Sequence, residues 1–374
     1  MILWAALGSL VALELIQRAA RRRLKKRRIS WASAFLHQGF VNQNHSGFNK
    51  HKTPDRFLPI SLVPPQGRIA VALPPVPLQD RRFKSYNPAV FVIRDALYAC
   101  VRCSSYTLTA DVRLPIITEN FLYTFATNRY RHIDLPETHR HAPALGFEDV
   151  RALVRGDDVL LVATAYNRQG VNQMHLLTLS TQDVLSEGSI RARRVLLLIP
   201  DPSLAGPERR QKNWAPFLDD DRLMFVYSVQ PHIVLSCDEQ SGLCEIAHTV
   251  HTDLPVQDLR GGTNLHLVNG TYVGFLHTTK PLQYDTYLYA FSATPPFQPV
   301  SFLDQQIFWA RDWPIELPYV EFSTGFVILD RPEGTFWIVS FGQNDSRPLI
   351  AIMSASQGVE MLADGQRNLL TPDE

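Results

Sequence analysis

From Ser85 onward the 374-residue chain consists of short apolar runs separated by polar turns. The runs include VLLVATAY, RLMFVYSV, TYVGFLHT and TFWIVSFG. Turn-forming pieces such as RGDD (155–158), LDDD (218–221), VNG (268–270) and PEG (332–334) join several of them. Sustained helical periodicity with caps is not evident past residue 30. The pattern therefore predicts an all-β body with little helix.

The apolar runs recur in one order, which indicates a repeat. Each unit starts with a short segment that carries polar residues, and two strands joined by an acidic or glycine turn follow. We call these segments the heads; they are 86–89 (YNPA), 147–151 (FEDVR), 212–214 (KNW), 260–263 (RGGT) and 322–325 (FSTG). Five units with room for four strands each predict a five-bladed β-propeller, with a β-sandwich pair or a large irregular barrel as the alternative. The innermost strands of a propeller line its channel, so the heads are expected to meet on one face.

The amino terminus combines an apolar run (ILWAALGSLVAL) with a following basic cluster (RAARRRLKKRR). The run is shorter than the roughly 20 residues of a full span, and a signal peptide has the opposite order of charge and apolar residues. We expect residues 1–28 to associate with a membrane, as a short span with the body on the cytosolic side or as an interfacial anchor. An ER or Golgi membrane is one expected location, and the side of the membrane stays open. Residues 29–82 are expected to form a linker and irregular lead-in, and residues 83–374 the propeller.

Composition excludes several classes of protein. The formal net charge is +1, but the basic cluster holds eight cations without an acid, so the rest of the chain is net acidic. An acidic body is a poor nucleic-acid binder, and we expect no nucleic-acid partner. Four cysteines exclude a disulfide-built scaffold. Cys100 and Cys103 have no second C-x-x-C, so no metal site is expected, whereas Cys237 and Cys244 flank a predicted hairpin loop and could pair in an oxidising compartment.

Asp149 is the first candidate for chemistry. It starts a predicted strand in GFEDVRALV, two residues before Arg151. Strand alternation puts both side chains on the same side. An acid beside a cation in a channel suits a proton donor or acceptor next to an anion-binding group. A strand-edge salt bridge is the structural alternative.

The third head supplies Lys212 and Asn213 as donors to sugar hydroxyls or an oxyanion. Trp214 offers a flat apolar face for a pyranose ring, unless it is core between two blades. Both readings of Trp214 stay open at this point.

The fourth head places Arg260 before a glycine pair that allows close backbone approach and free N–H groups, a combination suited to phosphate or carboxylate. His277 ends the strand TYVGFLH of the same unit. Asn87, Arg102 and Asp345 complete the predicted ring of polar residues, although each alone is more often structural.

In this order the segments resemble the five-bladed propellers of glycoside hydrolase family 130, the β-mannoside phosphorylases, and related mannosyltransferases. The similar stretches are NPAV…VR (87–102), EDVR (148–151), KNW (212–214), GGT…GTYVGFLH (261–277) and SFGQNDSRPLIAI (340–352). The resemblance implies that Asp149 is the single catalytic acid. It also implies binding of phosphate or the reacting sugar by Arg151, Lys212 and His277, and of the glycan by Asn87 and Arg102. Val150 and Arg260 depart from the residues usual in that family.

We therefore expect a carbohydrate-active enzyme, a glycosyltransferase or an inverting glycoside phosphorylase, that acts on β-linked sugars, mannosides above all. Inorganic phosphate, a sugar phosphate or a nucleotide sugar would be the co-substrate, with no other cofactor. An inverting displacement needs an acid and a nucleophile on opposite faces of the sugar. Two alternatives stay open: a glycan-binding propeller without catalysis, and a protein-interaction propeller, which predicts no polar cluster in the channel.

Overall fold

The computed structural model describes residues 69–78, 80, 82–106, 115–138, 142–204, 209–280, 283–307, 309 and 319–369. Within these ranges strands predominate, as the sequence pattern predicts. The predicted membrane-associating segment, residues 1–28, lies outside the described residues. Across the described part of the chain, no helix has the length and apolar character needed to cross a membrane.

The strands form four sheets that comprise five consecutive antiparallel units, because a short parallel pairing joins the last two units into one sheet. The first strand in sequence, β1 (Ile69–Ala72), belongs to the last unit. Unit 1 contains β2 (Lys84–Ile93), β3 (Ala96–Ser104), β4 (Ile116–Thr124) and β5 (Arg129–Asp134). Three short strands lie in the connections: β6 (Ala144–Leu145), β10 (Ile190–Arg191) and β12 (Ile199–Pro200). Unit 2 contains β7 (Glu148–Arg155), β8 (Asp158–Tyr166), β9 (Asn172–Ser180) and β11 (Arg194–Leu197), with helix α1 (Thr181–Leu185) after β9.

The remaining three units follow the same plan. Unit 3 contains β13 (Ala215–Asp219), β14 (Arg222–Val229), β15 (His232–Cys237) and β16 (Leu243–Val250). Unit 4 contains β17 (Arg260–Gly261), β18 (His266–Val268), β19 (Thr271–Lys280), β20 (Gln283–Ser292) and β21 (Pro299–Ile307). Unit 5 contains β22 (Tyr319–Arg331), β23 (Gly334–Gln343) and β24 (Arg347–Ser354), and helix α2 (Ala355–Leu369) follows.

The units contact one another in chain order around an axis, mostly through their first strands. Strand β2 contacts both β7 and β22, and β7 contacts β13. The link from unit 3 to unit 4 is made by β14 and β17, and β18 and β19 of unit 4 contact β22. Neighbouring sheets thus bury both faces of the middle strands, which explains why strands such as β8 are apolar almost throughout. The heads lie at the beginning of these first strands, next to the axis, which is where the propeller hypothesis puts them.

Strand β1 departs from the prediction of an irregular lead-in over residues 29–82. It pairs antiparallel with β24, with Ile69 opposite Ile352, and supplies the outer strand of unit 5. The segment IAVA at 69–72 contains no proline, because it lies between the proline pairs at 64–65 and 74–75. Pairing of β1 with β24 covers an otherwise open edge of this sheet.

Cys237 and Cys244 form a disulfide across the paired strands β15 and β16. This resolves the pairing that the sequence left open. Cys100 and Cys103 are free and buried.

Helix α2 is a second departure, since the sequence shows no regular helical pattern there. Gly358 and Gly365 interrupt the periodicity and each costs the helix about 1 kcal/mol relative to alanine. Gly358 lies so close to Trp337 that an added Cβ would be 2.4 Å from the indole ring. Close packing on unit 5, with Met361 and Leu362 buried, therefore compensates for the weak propensity.

A capping box stabilises the start of α2. The Gln357 N–H donates to the Ser354 hydroxyl (3.3 Å), and the Ser354 N–H donates to Oε1 of Gln357 (3.1 Å). We expect Ser354→Ala to lower the free energy of unfolding by about 1 kcal/mol, measured by urea denaturation. Ser354→Asp, which keeps an oxygen acceptor, is the control. Equal stability of S354A and wild type would show that the cap contributes nothing.

Candidate active site

The heads of units 1, 2 and 3 place a polar residue in the left-handed backbone conformation. Asn87, Asp149 and Asn213 have φ angles of 46°, 51° and 62°, a region that Asn and Asp tolerate better than other non-glycine residues. In units 1 and 2 the pairing register shifts at the same place. Such bulges re-aim side chains. Here they direct the polar side chains of successive units toward one another.

Asp149 is the centre of the resulting network. Its Oδ1 accepts hydrogen bonds from Nδ2 of Asn87 (2.9 Å) and Nη1 of Arg102 (2.7 Å). Nζ of Lys212 lies 3.9 Å from Oδ2. Nη2 of Arg102 donates to Oε1 of Glu148 (2.8 Å). The structure thus brings together candidates from units 1, 2 and 3 around one buried carboxylate.

The charge of Asp149 is fixed by these partners. Burial alone raises the pKa of the carboxyl, but the charges of Arg102, Lys212 and Arg151 and the hydrogen bond from Asn87 outweigh burial. The pKa of Asp149 is therefore well below its usual range, and the group is ionised at neutral pH. This works against the role of proton donor that the resemblance implies for Asp149.

Asp345 is the second aspartate of the site. It lies in the turn between β23 and β24, and its side chain is half-buried. Burial raises the pKa of Asp345 to about 6; Arg102 and Lys212 oppose this effect, and the negative charges of Asp149 and Glu148 add to it. The pocket therefore holds two aspartates with opposite protonation tendencies.

Arg151 does not occupy the position that strand alternation predicts. Because of the bulge, its Nη1 donates to the main-chain oxygen of Asp149 (2.5 Å) rather than to the carboxylate. Nε donates to the Gly262 oxygen (2.7 Å) and Nη2 to Oδ1 of Asn213 (3.1 Å). The residue is fully buried. Arg151 therefore joins units 2, 3 and 4, and the expected contact with phosphate is not available to it.

The glycine pair of the fourth head serves close packing. A Cβ on Gly262 would lie 2.4 Å from the Phe275 oxygen, and the Gly262 N–H donates to that same oxygen (3.1 Å). The expected free N–H groups are thus partly used internally. The side chain of Arg260 is exposed, and no described residue forms a hydrogen bond or ion pair with it. It remains a candidate for an anion.

His277 is buried within the site rather than open to a ligand. Its ring stacks on Tyr284, with the centroids 5.6 Å apart, and meets Phe322 edge-on at 4.7 Å. Burial lowers the pKa of His277 to about 3, and the positive charges of Arg151 and Arg260 add to this effect. The imidazole is therefore neutral and cannot supply the counter-charge that the resemblance implies.

Trp214 belongs to the core, which corrects its assignment as a sugar platform. It is 1% exposed and packs against Phe225 and Tyr227, with ring centroids 5.6 and 5.5 Å away. Its Nε1 donates to Oε1 of Gln211 (3.3 Å). No face of the indole is left for a pyranose ring.

Sequence reasoning missed two tyrosines and one acid at the site. Tyr106 and Tyr284 are half-buried, and burial raises the pKa of both phenols. The charges of Asp345 and Arg102 also act on Tyr106, and those of Asp345 and Arg260 act on Tyr284. Tyr106 follows β3 and Tyr284 lies on β20, so neither belongs to a head. Glu148 is part of a head, and its ion pair with Arg102 could have been inferred from the acid pair at 148–149.

The fold and the pocket define an all-β propeller with charged side chains around its axis. Among solved structures, the chain is similar to β-1,2-mannobiose phosphorylase from Listeria innocua, with a TM-score of 0.56 and 11% identity over 77% of this chain and 95% of that one. It is also similar to a glycosyl hydrolase from Bacteroides ovatus (TM-score 0.53, 12% identity, 73% and 85% covered). A third match has the same TM-score, identity and coverages as the Bacteroides ovatus protein. Its description states that the GH130 family of mannoside phosphorylases contains glycoside hydrolases that target β-1,2 mannosidic linkages in Candida mannan.

At these identities the likeness shows the fold. The predicted structural resemblance to family 130 propellers is thereby confirmed. No protein-family model matches the chain, and no curated protein matches it.

Proposed function

We propose that this chain is a carbohydrate-active enzyme that breaks or forms β-glycosidic bonds of mannosides, with inorganic phosphate or a sugar 1-phosphate as co-substrate. One observation carries the proposal: a buried carboxylate network lies beside two cations that stay accessible. Asp149, Glu148 and Arg102 form the network, and Lys212 and Arg260 are the cations. The structural neighbours, which include a β-1,2-mannobiose phosphorylase, support the sugar class.

The cations supply the anion-binding part of the proposal. The side chain of Lys212 is 35% exposed and only loosely paired with Asp149, so it can reach a phosphate oxygen. Arg260 enters from the next unit and offers a planar fork suited to phosphate. Positive charge held beside an attacking phosphate would stabilise the charge that develops during displacement, which is usually the largest catalytic contribution.

Polar and aromatic groups supply the sugar-binding part. The faces of Tyr106 and Tyr284 are apolar surfaces for a ring, and each phenol can also hydrogen-bond a hydroxyl. Glu148 and Asp149 accept hydrogen bonds from hydroxyl groups. The pairing of these carboxylates with Arg102 holds them in place for that task.

The same pocket would run in either direction, and the co-substrate decides between phosphorolysis and glycosyl transfer. Membrane association through residues 1–28 and an ER or Golgi location remain predictions. The glycan-binding alternative is favoured by the fixed charge of Asp149, because a fully paired carboxylate has little tendency to exchange a proton. The protein-interaction alternative predicts an apolar channel, which the network around Asp149 contradicts.

A co-substrate screen tests the proposal. The full chain is incubated with sugar 1-phosphates and nucleotide sugars plus mannose acceptors, and release of phosphate or nucleotide is recorded. We expect phosphate release from mannose 1-phosphate. Glycan binding without turnover of any donor would favour the binding-protein alternative.

The anion contacts are tested by removing each cation. Lys212→Met and Arg260→Met are each expected to raise the KM for phosphate about tenfold, because each loses a charge-assisted contact. Arg222→Met is the control, since Arg222 is exposed and pairs with Asp219 on the β13–β14 hairpin. An unchanged KM in both pocket variants would place the phosphate elsewhere.

A further inference from the structure

An exposed Asn-Gly-Thr turn lies in unit 4, between β18 and β19. Asn269 and Gly270 have φ angles of 47° and 79° and form a two-residue hairpin turn, in which Val268 is paired with Thr271. Both turn residues are exposed, and no described residue forms a hydrogen bond with the Asn269 side chain. Residues 269–271 match N-x-[ST], the acceptor pattern of N-linked glycosylation.

The turn has space for a bulky modification. A Cβ added at Gly270 would have no atom within 4 Å, so the turn position beside Asn269 faces solvent. The Thr271 hydroxyl donates to the Val268 oxygen (2.8 Å), and the Ala293 N–H donates to the Gly270 oxygen (2.9 Å). These bonds hold the hairpin without the Asn269 amide, so its Nδ2 can carry a sugar while the hairpin keeps its contacts.

The turn is remote from the pocket along its own strand. On β19, Thr271 is paired with Val268 at the turn, whereas His277 is paired with Arg260 of the fourth head. Residues 271 and 277 are roughly 20 Å apart along an extended strand. A glycan on Asn269 would therefore leave the axial network uncovered.

The other described match to the pattern, residues 344–346 (NDS), has different surroundings. Asn344 is only partly exposed, and its Oδ1 accepts a hydrogen bond from the Val320 N–H (2.9 Å). Its turn follows β23 at the end of unit 5 that carries the fifth head, since Phe322 is paired with Gly342. A glycan there would lie beside the head. A further match at Asn44 lies outside the described residues.

The cysteines give an independent indication of the compartment. Cys237 and Cys244 form a disulfide across a hairpin of unit 3, and such bonds persist in oxidising compartments and are rare in the cytosol. Cys100 and Cys103 are buried, and burial raises the pKa of both thiols to about 12. Buried thiols of this kind are inert. The chain can therefore stay in an oxidising compartment without further cysteine pairing.

We propose that the folded body lies in an oxidising secretory lumen and that Asn269 carries an N-linked glycan there. In the transfer, Nδ2 of Asn269 forms a bond to C1 of the first sugar of a lipid-diphosphate-linked oligosaccharide. The C1–O bond to the diphosphate breaks and its electron pair leaves with the diphosphate, while the amide gives up one proton to a base of the transferase. Neither the compartment nor the glycan depends on the reaction in the pocket.

Glycan occupancy at each asparagine tests the assignment. The full chain, with no added leader, is produced in cultured eukaryotic cells that make glycoproteins. Its peptides are compared by mass spectrometry before and after treatment with peptide N-glycosidase, which releases the glycan and converts its asparagine to aspartate. We expect a glycan on Asn269 of the wild type and its complete loss in Asn269→Gln and in Thr271→Ala. Thr271→Ser, which restores the hydroxyl of the acceptor pattern, should keep the glycan.

Asn128→Gln is the matched control for these variants. Asn128 is an exposed asparagine with a φ of 56° on the β4–β5 turn, and it lacks the acceptor pattern. Its replacement should leave the glycan on Asn269 unchanged. A glycan on Asn344 with none on Asn269 would overturn the assignment of the modified turn.

Thiol mapping of the same material tests the compartment. Non-reducing peptide maps should show Cys237 joined to Cys244, and Cys100 and Cys103 should react with an alkylating reagent only after unfolding. Free thiols at 237 and 244 together with an unmodified Asn269 would place the body in the cytosol, the side that the basic cluster favours for a spanning segment, and would overturn the inference. An intact disulfide beside an unmodified Asn269 would overturn the glycan.

Discussion

Asp149→Asn is expected to reduce turnover by a factor of about 10² to 10³, while the affinity for the sugar changes only a few-fold. The amide keeps the shape of the carboxyl but removes the charge that Arg102 and Lys212 share. Among the described residues Arg102 then keeps Glu148 as its one ion-pair partner, and the cations lose their fixed positions. Steady-state kinetics with mannose 1-phosphate and calorimetric titration with mannose measure the two quantities.

The control for this substitution is Asp220→Asn, because it makes the same chemical change on an exposed turn. Circular dichroism of each variant establishes that the fold is retained. A D149N protein with wild-type turnover would show that the network around Asp149 has no part in the reaction.

Replacement of Arg151 by methionine is expected to cost at least about 3 kcal/mol of unfolding free energy. The guanidinium donates to the Gly262 and Asp149 carbonyls and to Asn213, all of them buried. Methionine keeps much of the apolar stem but leaves these acceptors without a donor, and each unsatisfied buried group costs about 1–3 kcal/mol. Urea denaturation of the full chain measures the loss.

Arg155→Met is the matched control, because Arg155 ends the same strand and pairs with Glu239 at a partly exposed position. Such pairs contribute about 1 kcal/mol or less. If both variants lose the same stability, Arg151 does not hold the units together in the way its contacts indicate.

The heads show why much of the site could be predicted from sequence. Asn87 and Asp149 are 62 residues apart, and so are Arg151 and Asn213; each pair joins consecutive units. The heads begin at residues 86, 147, 212, 260 and 322, and this approximate repetition, together with the apolar strands between the heads, is visible in a single sequence. Convergence of polar residues from different units around an axis follows from that repetition alone.

The orientation of individual side chains could not be predicted from the sequence pattern. A left-handed residue and a register shift at Asp149 redirect Arg151 into the core, whereas regular strand alternation predicts a shared face. Trp214 is buried because unit 2 packs against it, a contact between distant segments. Helix α2 depends on how closely Gly358 approaches Trp337. These outcomes depend on tertiary contacts that local pattern does not contain.

The most direct test of the account is a crystal structure of the full chain grown with mannose and inorganic phosphate. We predict phosphate between Lys212 and Arg260, and a mannose ring beside Tyr284 with a hydroxyl within hydrogen-bond distance of Asp149 or Asp345. Sugar and phosphate bound away from these side chains, with the axial network unchanged, would contradict the claim that this pocket is the active site.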